Sequence, residues 1–240
     1  MIHYKIITNP GGREINEDFV GLKVKGEGAC FVLADGLGGH GKGEVASELV
    51  VKTALTEYER NGESSHFFEE TFERCQKELM KEQERQNSKD AMKTTMVMCR
   101  VTEKSVSWGH IGDSRLYLFR GGHLKCRTLD HSVPQMLVYA GDIKEKDIRF
   151  HPDRNRLLKV MGTEWSKPDY EVADTIKRLR RQAILMCTDG FWEYITEKQM
   201  INCLKKAKTV QEWADIMTKI VQEADSNTER DNFSAICVWL

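Results

Sequence analysis

The chain has 240 residues, 40% of them hydrophobic and only four prolines, the make-up of a folded and not a disordered protein. A formal net charge of -1 argues against general nucleic-acid or membrane-surface binding, and no apolar run approaches the ~20 residues of a membrane span. Seven scattered cysteines, never in C-x-x-C spacing, suit neither a disulfide framework nor a zinc site and read as buried free thiols of a cytoplasmic protein. The opening MIHYKIIT lacks a signal-peptide layout, and Ile2 stands where myristoylation needs glycine.

Apolar and β-branched runs predict strands at 2–9, 17–24 and 28–35. Two helices follow, with stripes Ala46, Val50, Ala54, Tyr58 and Phe68, Phe72, Cys75, Leu79, each covering a core from outside. Strands resume at about 94–102, 105–112, 114–120 and 123–128, the last two joined by a Gly121-Gly122 turn. Ser132 and Gln135 suggest a capping box opening a helix that Gly141 ends. The irregular stretch 141–166 is expected to form a surface flap. A strand near 182–188, helices at 196–206 and 209–225, and a strand at 232–240 complete the chain. Paired helices, in place of one between each two strands, favour antiparallel sheets over a doubly wound parallel sheet. With no linker or internal repeat, residues 1–240 read as a single domain.

Four aspartates share one context. Asp35 follows FVLA, Asp113 follows WGHIG, Asp189 follows ILMCT, and Asp231 precedes NFSAICVWL, so each lies at an end of an apolar strand. An Asp-Gly after a strand is ordinarily a turn, but four such acids suggest convergence. Carboxylates about 4 Å apart repel by about 4 kcal/mol at an effective dielectric of about 20, so a cluster must protonate or hold cations. With no His or Cys at ligand spacing, oxygen-only ligation points to Mg²⁺ or Mn²⁺. A competing motif, Gly36-x-x-x-x-Gly41-Lys42, fits a nucleotide-binding P-loop, but Gly43 replaces the Ser or Thr and Asp35 would repel phosphates.

Taken together, Arg13-Glu-Ile-Asn-Glu17-Asp18, Ala34-Asp35-Gly36 through Ser47, Thr94-Thr95, Gly112-Asp-Ser-Arg115, Asp130-His-Ser132, Cys187-Thr-Asp189-Gly190 and Asp231-Asn232 resemble the PP2C-type (PPM) metal-dependent protein serine/threonine phosphatases, most closely the compact bacterial members. The motifs run in family order from residue 13 to 232. The resemblance implies an α+β fold, an α-β-β-α sandwich of two antiparallel sheets flanked by helix pairs. It implies two core Mn²⁺ or Mg²⁺ ions and hydrolysis of phosphoserine and phosphothreonine in proteins by a metal-bridging hydroxide. Asp35 would bridge the ions, the Gly36 carbonyl would bind one, and Asp189 and Asp231 would complete the other. Glu17 and Asp18 would act in the outer shell, and Arg13 would grip the substrate phosphate. Asp113, with Asp189, matches a third cation position. The implied partners are phosphoproteins that a serine/threonine kinase has modified, and the chain is expected to be a monomer free of nucleic acid and membrane.

Departures accompany the resemblance. Lys93 replaces the glycine usual before Thr94-Thr95, and Glu193 stands where a relative often has Asp, which bears on the third cation. Leu37 occupies the place of a histidine that eukaryotic members carry as a candidate general acid. His40 is expected to be solvated, His131 to neighbour the Ser132 cap, and His110 to pack in its strand. Lys93 and Glu193 leave a non-catalytic phosphate-binding or regulatory relative as the alternative reading.

Overall fold

The computed structural model describes residues 1–37, 42–88, 91–224 and 230–240. In chain order the first elements are β1 (His3–Asn9), β2 (Asp18–Lys25), β3 (Gly28–Leu37), α1 (Gly43–Asn61), α2 (Phe67–Gln86), β4 (Lys93–Thr94), β5 (Met96–Val101), β6 (Ser105–Ile111), β7 (Arg115–Arg120) and β8 (His123–Arg127). There follow α3 (Val133–Ala140), a 3₁₀ helix (Glu145–Phe150), β9 (Glu171–Val172), β10 (Ile176–Lys177), β11 (Gln182–Cys187), α4 (Asp189–Trp192), α5 (Glu197–Lys206), α6 (Val210–Glu223) and β12 (Phe233–Trp239).

The strands form two antiparallel sheets, ordered β1-β12-β11-β7-β8 and β10-β6-β5-β3-β2, with β4 added to β3 and β9 to β6. Phe31, Leu33, Val97, Leu116, Ile184 and Ile236 meet between the sheets. The opposite face of β3 and β5 packs Val32, Ala34 and Met98 on Val50, Ala54, Phe72 and Leu79 of α1 and α2. Tyr117, Leu185 and Ala235 pack on Trp213 and Met217 of α6. The α-β-β-α sandwich expected above is the architecture observed. It explains why the central strands read as continuous apolar runs: both of their faces are covered.

Several local expectations need adjustment. Ser132 Oγ does accept the Gln135 N–H at 3.4 Å, but Gln135 Oε1 accepts from Arg127 at 3.5 Å, so only half of the capping box forms. The two-residue strands β9 and β10, with exposed or half-buried polar neighbours, carry no periodic signal and were not expected. Segment 141–166 is irregular apart from its 3₁₀ helix, but its cations are not all on the surface. Arg149 donates to the Trp192 carbonyl and to Glu197, and its side chain is 10% exposed. Six of the seven cysteines are buried, Cys126 being half-buried, and none is bonded to another. Among the described residues no helix is long and apolar enough to cross a membrane.

Candidate metal centre

The period of two along the strands builds the site. The inter-sheet face carries Phe31 and Leu33 on β3, Val97 on β5, Leu116 on β7, Ile184 and Met186 on β11, Ile236 on β12 and Val20 on β2. One step further on each track, at the same end of the sandwich, stand Asp35, Thr95, Ser114, Thr188, Ser234 and Asp18. The apolar layer thus gives way to a layer of hydroxyls and carboxylates. Thr95 Oγ1 and Ser114 Oγ lie 2.8 Å apart, and Thr95 Oγ1 accepts the Asp35 N–H at 3.0 Å. Thr188 donates to Asp18 Oδ2 at 3.0 Å while accepting the Ser234 N–H at 3.0 Å. Asp18 and Asp35 are register partners on neighbouring strands, so their carboxylates are held side by side by the ladder itself.

Sequence reasoning did not single out Ser114, Thr188 or Ser234. Continuing the inward-facing alternation past the last apolar residue would have found them.

Loops add the remaining groups. Asp189 opens α4 and its Oδ1 accepts the Gly190 N–H at 2.6 Å. Asp231 Oδ1 accepts the Asn232 N–H at 2.9 Å and lies 3.5 Å from Arg13 Nε. Asn232 staples the 10–17 loop to this end: its Nδ2 donates to the Pro10 and Ile15 carbonyls and its Oδ1 accepts the Glu17 N–H at 2.8 Å. Gly36 is fixed by crowding, since a Cβ there would lie 2.2 Å from the Gly43 carbonyl oxygen and 2.7 Å from that of Glu17. Lys93 pairs with Leu37 in a regular short ladder, so the missing glycine leaves the backbone undistorted. A cleft of about 450 Å³ is lined by Arg13, Glu17, Asp35, Gly36, Asp113, Asp189 and Asp231, joined by Asn155 and Leu157 of the flap segment. Asp18 lies beneath it, buried.

The electrostatics are those of carboxylates held together against repulsion. Burial, with Asp189 adding to it, pushes Asp18 up to about 7. Burial and then Asp231 push Asp189 up to about 6. Asp35 is raised well above the usual range by burial and then by Asp18, Asp189 and Asp113; Asp113 is raised likewise by burial and Asp189. Burial and Glu44 also raise Glu17. Glu193 is raised to about 7 by burial and Asp189, although Arg154 of the flap segment pairs with it at 2.9 Å.

Do these residues fit divalent cations? Two observations say that they do. Asp18 Oδ1 and Glu44 Oε2 are buried without a hydrogen-bond partner, a costly state that a cation or its water would relieve. The available donors are carboxylate and carbonyl oxygens, the ligands of hard cations. The P-loop reading loses its lysine: Lys42 Nζ is engaged by Ser88 Oγ. The rest of that glycine-rich turn, with His40, lies outside the described residues.

A two-sheet sandwich with an oxygen-lined acidic cleft and an arginine at its rim defines a class, the metal-dependent hydrolases of phosphate esters built on α-β-β-α layers. The family model for protein phosphatase 2C matches residues 12–233, and the chain belongs to that family. It is 30% identical over 254 residues to the serine/threonine phosphatase stp of Listeria monocytogenes serotype 4b (strain F2365), covering 99% of this chain and 95% of that protein. Among solved structures, the serine/threonine phosphatase Stp1 from Staphylococcus aureus aligns with TM-score 0.87 at 28% identity, over 100% of this chain and 95% of that one. The Mycobacterium tuberculosis serine/threonine phosphatase PstP/Ppp aligns with TM-score 0.85 at 25% identity, over 100% and 98% of the two chains.

Proposed function

We propose that the acidic cleft is the active centre of this metal-dependent protein serine/threonine phosphatase, with roles divided as follows. Asp35 and the Gly36 carbonyl would hold core cations together with Asp189 and Asp231, all of which line the cleft. Asp113, with Asp189, provides a third position. Glu17 and Asp18 support these groups from behind. The observation that carries this assignment is the orphaned Oδ1 of Asp18 beneath a cluster of carboxylates that burial and mutual repulsion raise in pKa.

When bound, Mn²⁺ or Mg²⁺ supplies Lewis acidity, neutralising phosphoryl charge and making water nucleophilic at neutral pH. The chain's own residues do the rest. Arg13, at the rim, presents a planar fork of donors that suits a phosphate and orients it over the floor. The hydroxyl layer keeps Asp18 and Asp35 in place, and the Asn232 staple holds Arg13's loop against the cleft. Asp113 lines the cleft with Asp189, and the two would hold a third cation as the source of the acidity needed to protonate the departing serine or threonine oxygen, a role that Leu37 cannot fill. The buried thiols take no part: burial raises Cys187 beyond the range in which a thiolate forms.

The substrates are phosphoproteins. We infer further that a serine/threonine kinase supplies them, that residues 1–240 act as one domain with a flap at 141–166, and that the chain works as a cytoplasmic monomer without nucleic acid or membrane. The non-catalytic alternative rested on Lys93 and Glu193, and neither disturbs the floor: Lys93 sits in a regular ladder and Glu193 is paired with Arg154. The test is phosphate release from phosphoserine and phosphothreonine peptides with Mn²⁺, before and after chelation. Release that ends with chelation and returns with Mn²⁺ supports the assignment; release that survives complete metal removal contradicts it.

A further inference from the structure

Outside the cleft, His110, His131 and Glu171 each bring a ligand-type atom within 4.8 Å of the others. The arrangement is not that of a metal site. The two imidazoles are stacked, centroids 4.7 Å apart and planes 10° apart, so their in-plane lone pairs point along parallel sheets and do not converge. The hydrogen bonds also fix the wrong tautomer for ligation. The Gly112 N–H donates to His131 Nδ1 at 3.1 Å, so Nδ1 carries the lone pair. The proton of the neutral ring is then on Nε2, which faces Glu171 Oε1 at 3.2 Å, in ion-pair reach though poorly aligned for a hydrogen bond. His110 is engaged elsewhere, its Nε2 lying 2.8 Å from the Leu129 carbonyl oxygen.

What the geometry does build is a clasp. The His131 N–H donates to the Gly112 carbonyl at 3.0 Å while its ring accepts from the Gly112 N–H, so one residue binds both backbone groups of Gly112. Gly112 adopts φ +99°, and a Cβ there would lie 2.6 Å from the Thr95 side chain, so the turn admits only glycine. The next residue is Asp113, whose carbonyl is held by Trp192 Nε1 at 3.0 Å. The peptides on either side of Asp113 are thus tied by the His131 backbone N–H and by Trp192, and the His131 ring fixes the Ile111–Gly112 peptide one step earlier, so the ring's own share is to hold the turn from which Asp113 springs. We propose that His131 is a positioning residue for the reaction, latching the Gly112–Asp113 turn so that the Asp113 carboxylate is held in the cleft. This rests on the assignment of Asp113 to the active centre above.

Two further features suit the role. Burial, with His110 adding to it, lowers His131 to about 4, so the ring stays neutral and Nδ1 stays an acceptor at physiological pH. The His131 carbonyl also accepts the Leu158 N–H at 2.8 Å, so the clasp joins the turn to the flap segment.

The experiment has a structural arm and a kinetic arm on the Mn²⁺-loaded enzyme. In wild type, nitrogen-15 NMR should show His131 neutral with Nδ1 unprotonated, and amide exchange at Gly112 should be slowed by about a hundredfold or more. His131→Leu should abolish that protection and lower kcat on a phosphothreonine peptide about ten- to hundredfold with KM little changed. His131→Asn, whose Oδ1 can accept the same N–H, should restore most of both. Combining His131→Leu with Asp113→Ala should cost little beyond Asp113→Ala alone. A protonated Nδ1 in wild type would overturn the proposal, as would a normal kcat in His131→Leu while Asp113→Ala is impaired. If Asp113→Ala itself turns over normally, the proposal falls through its premise, and the NMR arm still reports separately on the clasp.

Discussion

The floor and the rim of the cleft are built by different means. Asp18 and Asp113, 5% and 4% exposed, sit in the floor with Asp35 and Asp189; strand register and the Thr and Ser layer hold Asp18 and Asp35, while the Gly112 turn and the start of α4 place Asp113 and Asp189. Arg13 and Asp231, with side chains 56% and 48% exposed, stand at the rim on loops, paired with each other at 3.5 Å. The floor groups are raised in pKa because burial keeps water from them and holds them beside one another. Burial by itself does not make a site: six cysteines are buried as deeply, yet each stays a neutral, inert packing group. A floor of converging acids stores electrostatic cost that a cation can discharge, while a solvated rim adjusts to whatever binds.

The sharpest way to break this comparison is to neutralise one residue of the floor. Asp35→Asn and Asp189→Asn keep shape and remove charge; each should lower kcat/KM by about a thousandfold, roughly 4 kcal/mol of transition-state stabilisation. Asp231→Asn, at the solvated rim, should weaken Mn²⁺ binding and turnover by a smaller factor. Steady-state kinetics with calorimetric Mn²⁺ titration checks all three, and equal losses at floor and rim would erase the distinction.

Arg13 comes next. Arg13→Ala should raise KM for phosphopeptides about tenfold with Mn²⁺ affinity unchanged, and Arg13→Lys should recover little, because a point charge cannot replace a fork. An unaltered KM would make the arginine merely a surface partner of Asp231.

How much of this was legible in the sequence follows from the same contrast. Three of the floor's acids, Asp35, Asp113 and Asp189, announce themselves because each ends an apolar strand, as FVLAD and ILMCTD do, and antiparallel sheets follow from helices that come in pairs with one apolar stripe each; Asp18 and the four-layer sandwich came only with the family resemblance. The helix α4 was not foreseen, since four residues starting at a suspected ligand carry no period. The burial of Arg149 was equally hidden, because a cation in an irregular stretch reads as solvated until Trp192 and Glu197 are seen around it. Asp231 and Asp189 read alike in sequence, both at strand ends; only the fold shows that Asp189 is half-buried in the cleft and Asp231 exposed at its rim.

The stored cost should also appear in stability. Asp18 near 7 and Asp189 near 6 lie above the ordinary carboxylate value near 4, so between about pH 4 and 7 the native state binds more protons than the unfolded chain. The metal-free protein should therefore lose stability as pH rises through that window, about 1.4 kcal/mol per pH unit for each extra proton, or roughly 2–4 °C in Tm per kcal/mol. Saturating Mn²⁺ should flatten the slope. Thermal melts at pH 5.5 and 8 with and without Mn²⁺ check this; a metal-free Tm that rises with pH has the wrong sign. The smallest effect belongs to the outer flap. Reversing Lys144 and Lys146, but sparing the structural Arg149, should change phosphopeptide rates a few-fold and leave p-nitrophenyl phosphate hydrolysis unchanged. Parallel losses on both substrates would indicate damage to the fold.

The central claim, that the floor carboxylates hold protons against one another until cations replace them, is tested most directly by counting protons during Mn²⁺ binding. Calorimetric titration at pH 6 in buffers of differing ionisation enthalpy should show protons released as Mn²⁺ binds, with release fading by pH 8.5 and much reduced in Asp35→Asn. Binding without proton release at pH 6, or release unchanged in Asp35→Asn, would contradict the account.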